Sequence, residues 1–147
     1  MTTYSFKEIG DAINVQMLLV KNSDAKVWAV YNHDIKVQSW ISLPAIIITP
    51  SNGNETLLDS CSNETTINFT VRLIDRIQDW IADVENNMRI VADMMMSRLK
   101  DVWDITWTND SGFTIKTEYS YVWWFADTQE PIRVFEVECK FTAIENE

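Results

Sequence analysis

The hydrophobic pattern changes period along this chain, and each change marks an element. From Ala45 to Ile48 it is continuous, with Pro44 and Pro50 at the two ends. Such a run is too short for a helix and turns no polar residue toward water. Its β-branched isoleucines predict a strand covered on both faces. Neither proline can donate a ladder hydrogen bond, so the pair bounds the strand. Farther on the period becomes two: Thr65, Ile67, Phe69, Val71 and Leu73 alternate with Thr66, Asn68, Thr70 and Arg72. This predicts a second strand with one apolar face, paired with the first as a long hairpin. The connection from Ser51 to Asn63 is longer than a hairpin needs and holds turn formers together with Leu57 and Leu58. It reads either as a mobile surface loop or as a segment that orders against a partner.

Helical spacing governs two other stretches. Phe6, Ile9, Ile13 and Met17 follow a capping-box pattern at Ser5 and Glu8, which predicts a helix from about Phe6 to Val20. Gly10 inside it costs about 1 kcal/mol relative to Ala, so this helix should depend on packing against a sheet. Ile77, Ile81, Val84, Met88, Val91, Met95, Leu99 and Val102 step by three or four, with Trp80, Ile90 and Met94 on the flanks of the stripe. They predict a long helix between Arg76 and Val102. Asp79, Asp83 and Glu85 near its start and Arg98 and Lys100 near its end complement the helix dipole.

The remaining elements read as strands. Ala25 to Tyr31 is a first strand, and Trp103 to Trp107 a short one. In the strand from Phe113 to Phe125, the core face carries Tyr119, Tyr121, Trp123 and Phe125, and the opposite face Ser120, Val122 and Trp124. In the last, from Ile132 to Thr142, Phe135, Val137, Cys139 and Phe141 lie opposite Val134, Glu136, Glu138 and Lys140. The order predicts an α+β fold: one mostly antiparallel, mixed sheet of four to six strands packed with two main helices. No repeat or linker interrupts the 147 residues, so one domain spanning 1–147 is expected.

Composition narrows the function classes. A net charge of −10 opposes any surface that grips phosphates. There is no membrane-length apolar run and no signal-peptide pattern, so a soluble protein made in the cytoplasm is expected. Cys61 and Cys139 suggest neither a disulfide framework nor a zinc site. The three glycines, Gly10, Gly53 and Gly112, build no phosphate loop. Glu138 and Lys140 form the short acidic-x-Lys piece of metal-dependent nucleases, with Asp127 as a second carboxylate, but the motif is degenerate and the acidic surface opposes nucleic acid. His33, the sole histidine, has no nucleophile elbow to serve and reads as a surface residue. Met95 falls on the core stripe with Met94 beside it, so Met94 to Met96 read as packing.

The stretch Leu43 to Ser51, the polar loop holding Asp59 and Asn63, the alternating strand, the amphipathic helix and the closing hairpin with Pro131, Ile132, Arg133 and Val134 resemble the tail terminator family of long-tailed bacteriophages. The likeness covers most of the chain from about Trp40 onward; the strand from Tyr119 to Phe125 is more aromatic than the family's second half usually is. The resemblance implies a small α+β subunit that closes into a homo-hexameric ring on the head-proximal end of the tail tube. It implies contacts with the tail tube protein and with a neck or head-completion protein, with genomic DNA passing the lumen unbound. It also implies a place in the virion after assembly in the host cytoplasm, with no membrane, no cofactor and no catalysis. Another head-tail connector, neck or tail tube protein, a small ligand-binding domain whose aromatic strand lines a pocket, and a metal-dependent nuclease are the alternatives.

Seven tryptophans are more than one small core buries, so some are expected at subunit contacts. Leu57, Leu58, Asp59 and Asn63 in the loop and Val122 and Trp124 on the strand are the candidate interface residues, unless a helix covers the Trp124 face as well. A negative inner wall would let DNA slide, and Glu136 and Glu138 are candidates to line it, although plain solvent exposure explains them more simply.

Overall fold

The computed structural model describes residues 6–23, 27–33, 43–51, 54–57, 63–76, 81–100, 113–126 and 132–145. In chain order the elements are α1 (Phe6–Asn22), β1 (Ala29–Tyr31), β2 (Ala45–Pro50), β3 (Asn54–Leu57), β4 (Asn63–Arg76), α2 (Ile81–Leu99), β5 (Phe113–Ala126) and β6 (Ile132–Glu145). They form an α+β fold with one mixed sheet in the order β1-β2-β4-β6-β5, and β3 pairs with β4 beside that row. Among the described strands only β1 and β2 run parallel; the other pairs are antiparallel.

Both faces of β2 are buried, as its uninterrupted apolar run requires. Ile46 and Ile48 enter the main core, while Ala45 and Ile47 join a smaller cluster on the other face with Ile74, Ile132 and Val134. The expected hairpin partner is β4, with Ile48 opposite Val71 and Ile46 opposite Leu73. The main core lies between the sheet and the two helices. Ile9, Ile13, Met17 and Val20 of α1 and Met88, Val91, Met95 and Leu99 of α2 meet Phe69, Val71, Phe135, Val137 and Phe141 of the sheet. Both described helices therefore cover the same sheet face.

Several expectations are corrected. Arg76, expected at the head of the long helix, ends β4 instead, and Ile77, Trp80 and Val102 of the expected stripe lie outside the described residues. β1 is only three residues long. Ile90, placed on the flank of the α2 stripe, is exposed, because the packed arc is narrow and is completed by Ala92. Part of the loop from Ser51 to Asn63 is strand. β2 covers β4 only from Phe69 to Ile74, and β6 occupies the other edge of β4 from Glu64 to Arg76. The uncovered edge beside Asn63 to Thr66 is taken by β3. The strand expected from Trp103 to Trp107 and the capping residue Ser5 lie outside the described residues.

β4, β5 and β6 are each 14 residues long, a span of about 46 Å at strand rise. β6 lies between the other two, and β5 is left as the end of the row.

Candidate interaction surfaces

The position of β5 at the end of the row decides what its aromatic residues do. Tyr119 and Trp123 pack against the main core, while Tyr121 and Phe125, on the same face by period, are 64% and 50% exposed. The expectation that all four serve the core fails for these two, because an end strand has a sheet neighbour on one side only. Arg133 on β6 organises this corner. Its guanidinium stands 4.3 Å from the Phe125 ring centre and 5.2 Å from that of Trp123, and its Nε lies 2.5 Å from Glu85 on α2. Stacking and ion pairing together tie the start of α2 to the β5–β6 hairpin. Sequence reasoning missed this arrangement, since nothing local to Arg133 signals a partner in α2.

Between α2 and the two last strands opens a cleft of about 420 Å³. Phe135, Ala92 and Met96 lie toward the core, Tyr121 and Trp123 supply aromatic walls, and Arg89 and Asp93 stand one turn apart on α2. The Trp123 and Phe135 rings are 4.6 Å apart and tilted, and Tyr121 is 6.0 Å from Phe135. An apolar interior with few polar groups at the mouth is the usual build of a binding site. Period-2 reading supplied Tyr121, Trp123 and Phe135; Arg89 and Asp93 lie on a helix read for its apolar stripe and for the charges at its ends.

On the other sheet face, Val122 and Trp124 are exposed, and no described helix covers them. Trp124 is opposite Val134 and Val122 is opposite Glu136. Of the other candidate interface residues, Leu57 and Asn63 are register partners in the β3–β4 ladder. Leu58 and Asp59 lie outside the described residues. Glu138 is exposed, but Glu136 is half-buried and bonded to Arg72 at 2.7 Å. Register explains the bond, because Arg72 is directly across the β4–β6 ladder. Lys140 stands 3.9 Å from Glu118 on the same face. The surface around Glu136 and Glu138 thus carries cations as well as carboxylates, which weakens its reading as a uniformly negative wall.

The opposite end of the row is apolar too. Trp28, just before β1, is 68% exposed and donates its backbone N–H to the Pro44 carbonyl. α1 packs over β1 and β2 and turns Val15, Leu18 and Leu19 outward, opposite its core stripe. His33 is exposed and 5.8 Å from Tyr31. No cluster of three potential metal ligands occurs among the described residues, and none of the described helices is long and apolar enough to cross a membrane. Asp127, the second carboxylate of the nuclease reading, lies outside the described residues. No protein-family model matches the chain, and no curated protein matches it.

Proposed function

We propose that this chain is a structural virion protein, a bacteriophage tail terminator whose copies close into a hexameric ring on the head-proximal end of the tail tube. The ring stops tube polymerisation and joins the tail to the neck or head-completion protein. The observation that carries the reading is the exposed apolar side chains at opposite ends of one sheet: Tyr121 and Phe125 on one face of β5 with Val122 and Trp124 on the other, and Trp28 with Val15, Leu18 and Leu19 beside β1. Two different patches on opposite sides of a subunit support head-to-tail contacts, which generate a ring when the rotation closes. The resemblance of the segments from Leu43 to Ser51 and from Pro131 to Val134 supports the choice of ring, and the net charge of −10 suits a wall past which DNA slides unbound.

The function is geometric in this reading: no bond is made or broken, the partners are further copies, the tube protein and the neck protein, and assembly takes place in the host cytoplasm. The test is sedimentation at increasing concentration, with and without purified tail tubes, followed by tube-length measurement by electron microscopy in an infection that lacks the protein. The reading expects a ring and overlong tubes. A lone subunit at every concentration that never caps a tube overturns it. The cleft beside α2 favours one second reading, a small binding domain for an aromatic ligand, which predicts a monomer that binds such a ligand stoichiometrically.

A further inference from the structure

Trp28 and the aromatic cleft stand at opposite ends of the sheet. Trp28 precedes β1, the first strand of the row, and the cleft opens beside β5, the last. Four strand spacings, about 19 Å, separate the two. We propose that the cleft is the socket for Trp28 of a second copy of this chain.

The chemistry of the two parts is complementary. An indole is a large flat apolar body with a single N–H donor, and once buried it needs an acceptor for that donor. The socket offers Trp123 and Phe135 as an aromatic wall and floor, Tyr121 at the side, and the Asp93 carboxylate as an acceptor at the mouth. Arg89, one turn from Asp93 and largely exposed, stands 3.8 Å from Glu85 on its own helix and would turn from that surface pair to cover the outer ring face. At about 420 Å³ the cleft lies toward the small end of ligand sites and admits one indole with space left beside it. Trp28 is the most exposed of the large hydrophobic residues described, so its burial gains the most apolar area of any single residue there.

Knob and socket are different surfaces of the subunit, and a contact between them that repeats head to tail is heterologous. Each copy gives one Trp28 and receives another, the repeating contact of a ring. This inference rests on the ring reading and names its contact.

The experiment uses the full chain with Trp28→Ala and Asp93→Arg, both at exposed positions outside the core. Each variant alone should lose association by about thirtyfold or more, the loss expected for a central aromatic anchor. Mixed in equal amounts they should form a one-to-one dimer and go no further, because only the Asp93→Arg copy carries the knob and only the Trp28→Ala copy keeps the socket. N-acetyltryptophanamide should shift the NMR signals of Ala92 and Phe135 in Trp28→Ala and leave them unchanged in Asp93→Arg. If wild type assembles and Trp28→Ala assembles equally well, or the mixture stays monomeric, the knob-and-socket contact is wrong while the ring stands. If wild type never assembles on tubes or in solution, the ring reading falls. If the amide shifts neither variant, the socket does not take an indole.

Discussion

The Tyr119 hydroxyl donates a hydrogen bond of 2.5 Å to the carbonyl of Leu99, joining the end strand of the sheet to the last residue of α2. The last carbonyls of a helix have no partner within it, so this hydroxyl closes one of them. Tyr119→Phe keeps the ring and its edge contact with Phe141, 6.4 Å away, and removes only the hydroxyl. The expected loss is about 1 kcal/mol in urea unfolding, with an unchanged slope.

Gly10 of α1 lies against the Phe69 ring of β4. A Cβ there would stand 3.2 and 3.3 Å from two atoms of the buried Phe69 ring and 3.6 Å from the Asn32 side chain. Gly10→Ala gains about 1 kcal/mol of helix propensity but crowds the ring, so its stability should stay close to that of the parent. Gly10→Val adds bulk with no space to receive it and should cost about 1–3 kcal/mol. Equal midpoints for the parent and Gly10→Val would show that the helix sits farther from the sheet.

Burial raises the Asp75 carboxyl above its usual value, against the pull of the Arg76 backbone N–H, at 2.8 Å, and of the Arg76 charge. A carboxyl whose folded pKa exceeds its unfolded one binds its proton more tightly when folded. It therefore costs stability above the folded pKa, and the cost fades as pH falls toward the unfolded value of 3.8. Asp75→Asn should melt higher than the parent at pH 7, and the gap should close as the pH is lowered through that window. A gap that widens on acidification would reverse the sign.

Cys139 is fully buried on β6, and desolvation, with the Glu138 charge second, holds its thiol well above the ordinary range. Thiolate is the reactive form, so the side chain is inert while the core is closed. In a Cys61→Ser variant, alkylation at pH 8 should label nothing in the native protein and one thiol in denaturant. Labelling without denaturant would mean that the β4–β6 centre opens readily.

Trp124, 38% exposed on the uncovered sheet face, separates assembly from folding. Trp124→Glu should fold and yet fail to cap tail tubes, whereas Met95→Ala, at a fully buried position, should lose about 2–5 kcal/mol. Tubes of normal length from an infection with Trp124→Glu would remove that face from the interface.

Side-chain period carried much of the fold and less of the surfaces. The run from Ala45 to Ile48 determined a strand buried on both faces, the spacing from Met88 to Leu99 a helix with one packed side, and the alternation from Phe135 to Phe141 which residues of β6 enter the core. These follow from geometry internal to each element: two residues per pleat, 3.6 per turn.

Which elements become neighbours was decided only in the tertiary structure. Period could not say that β6 lies between β4 and β5, that Tyr121 and Phe125 end on an uncovered strand, or that Arg72 meets Glu136 across 64 residues of chain. Nor could it bring Arg89 and Asp93 to the rings of Tyr121, Trp123 and Phe135. The physical reason is that a residue's own element fixes the side it faces, while its partner follows from the register that best satisfies the whole sheet at once.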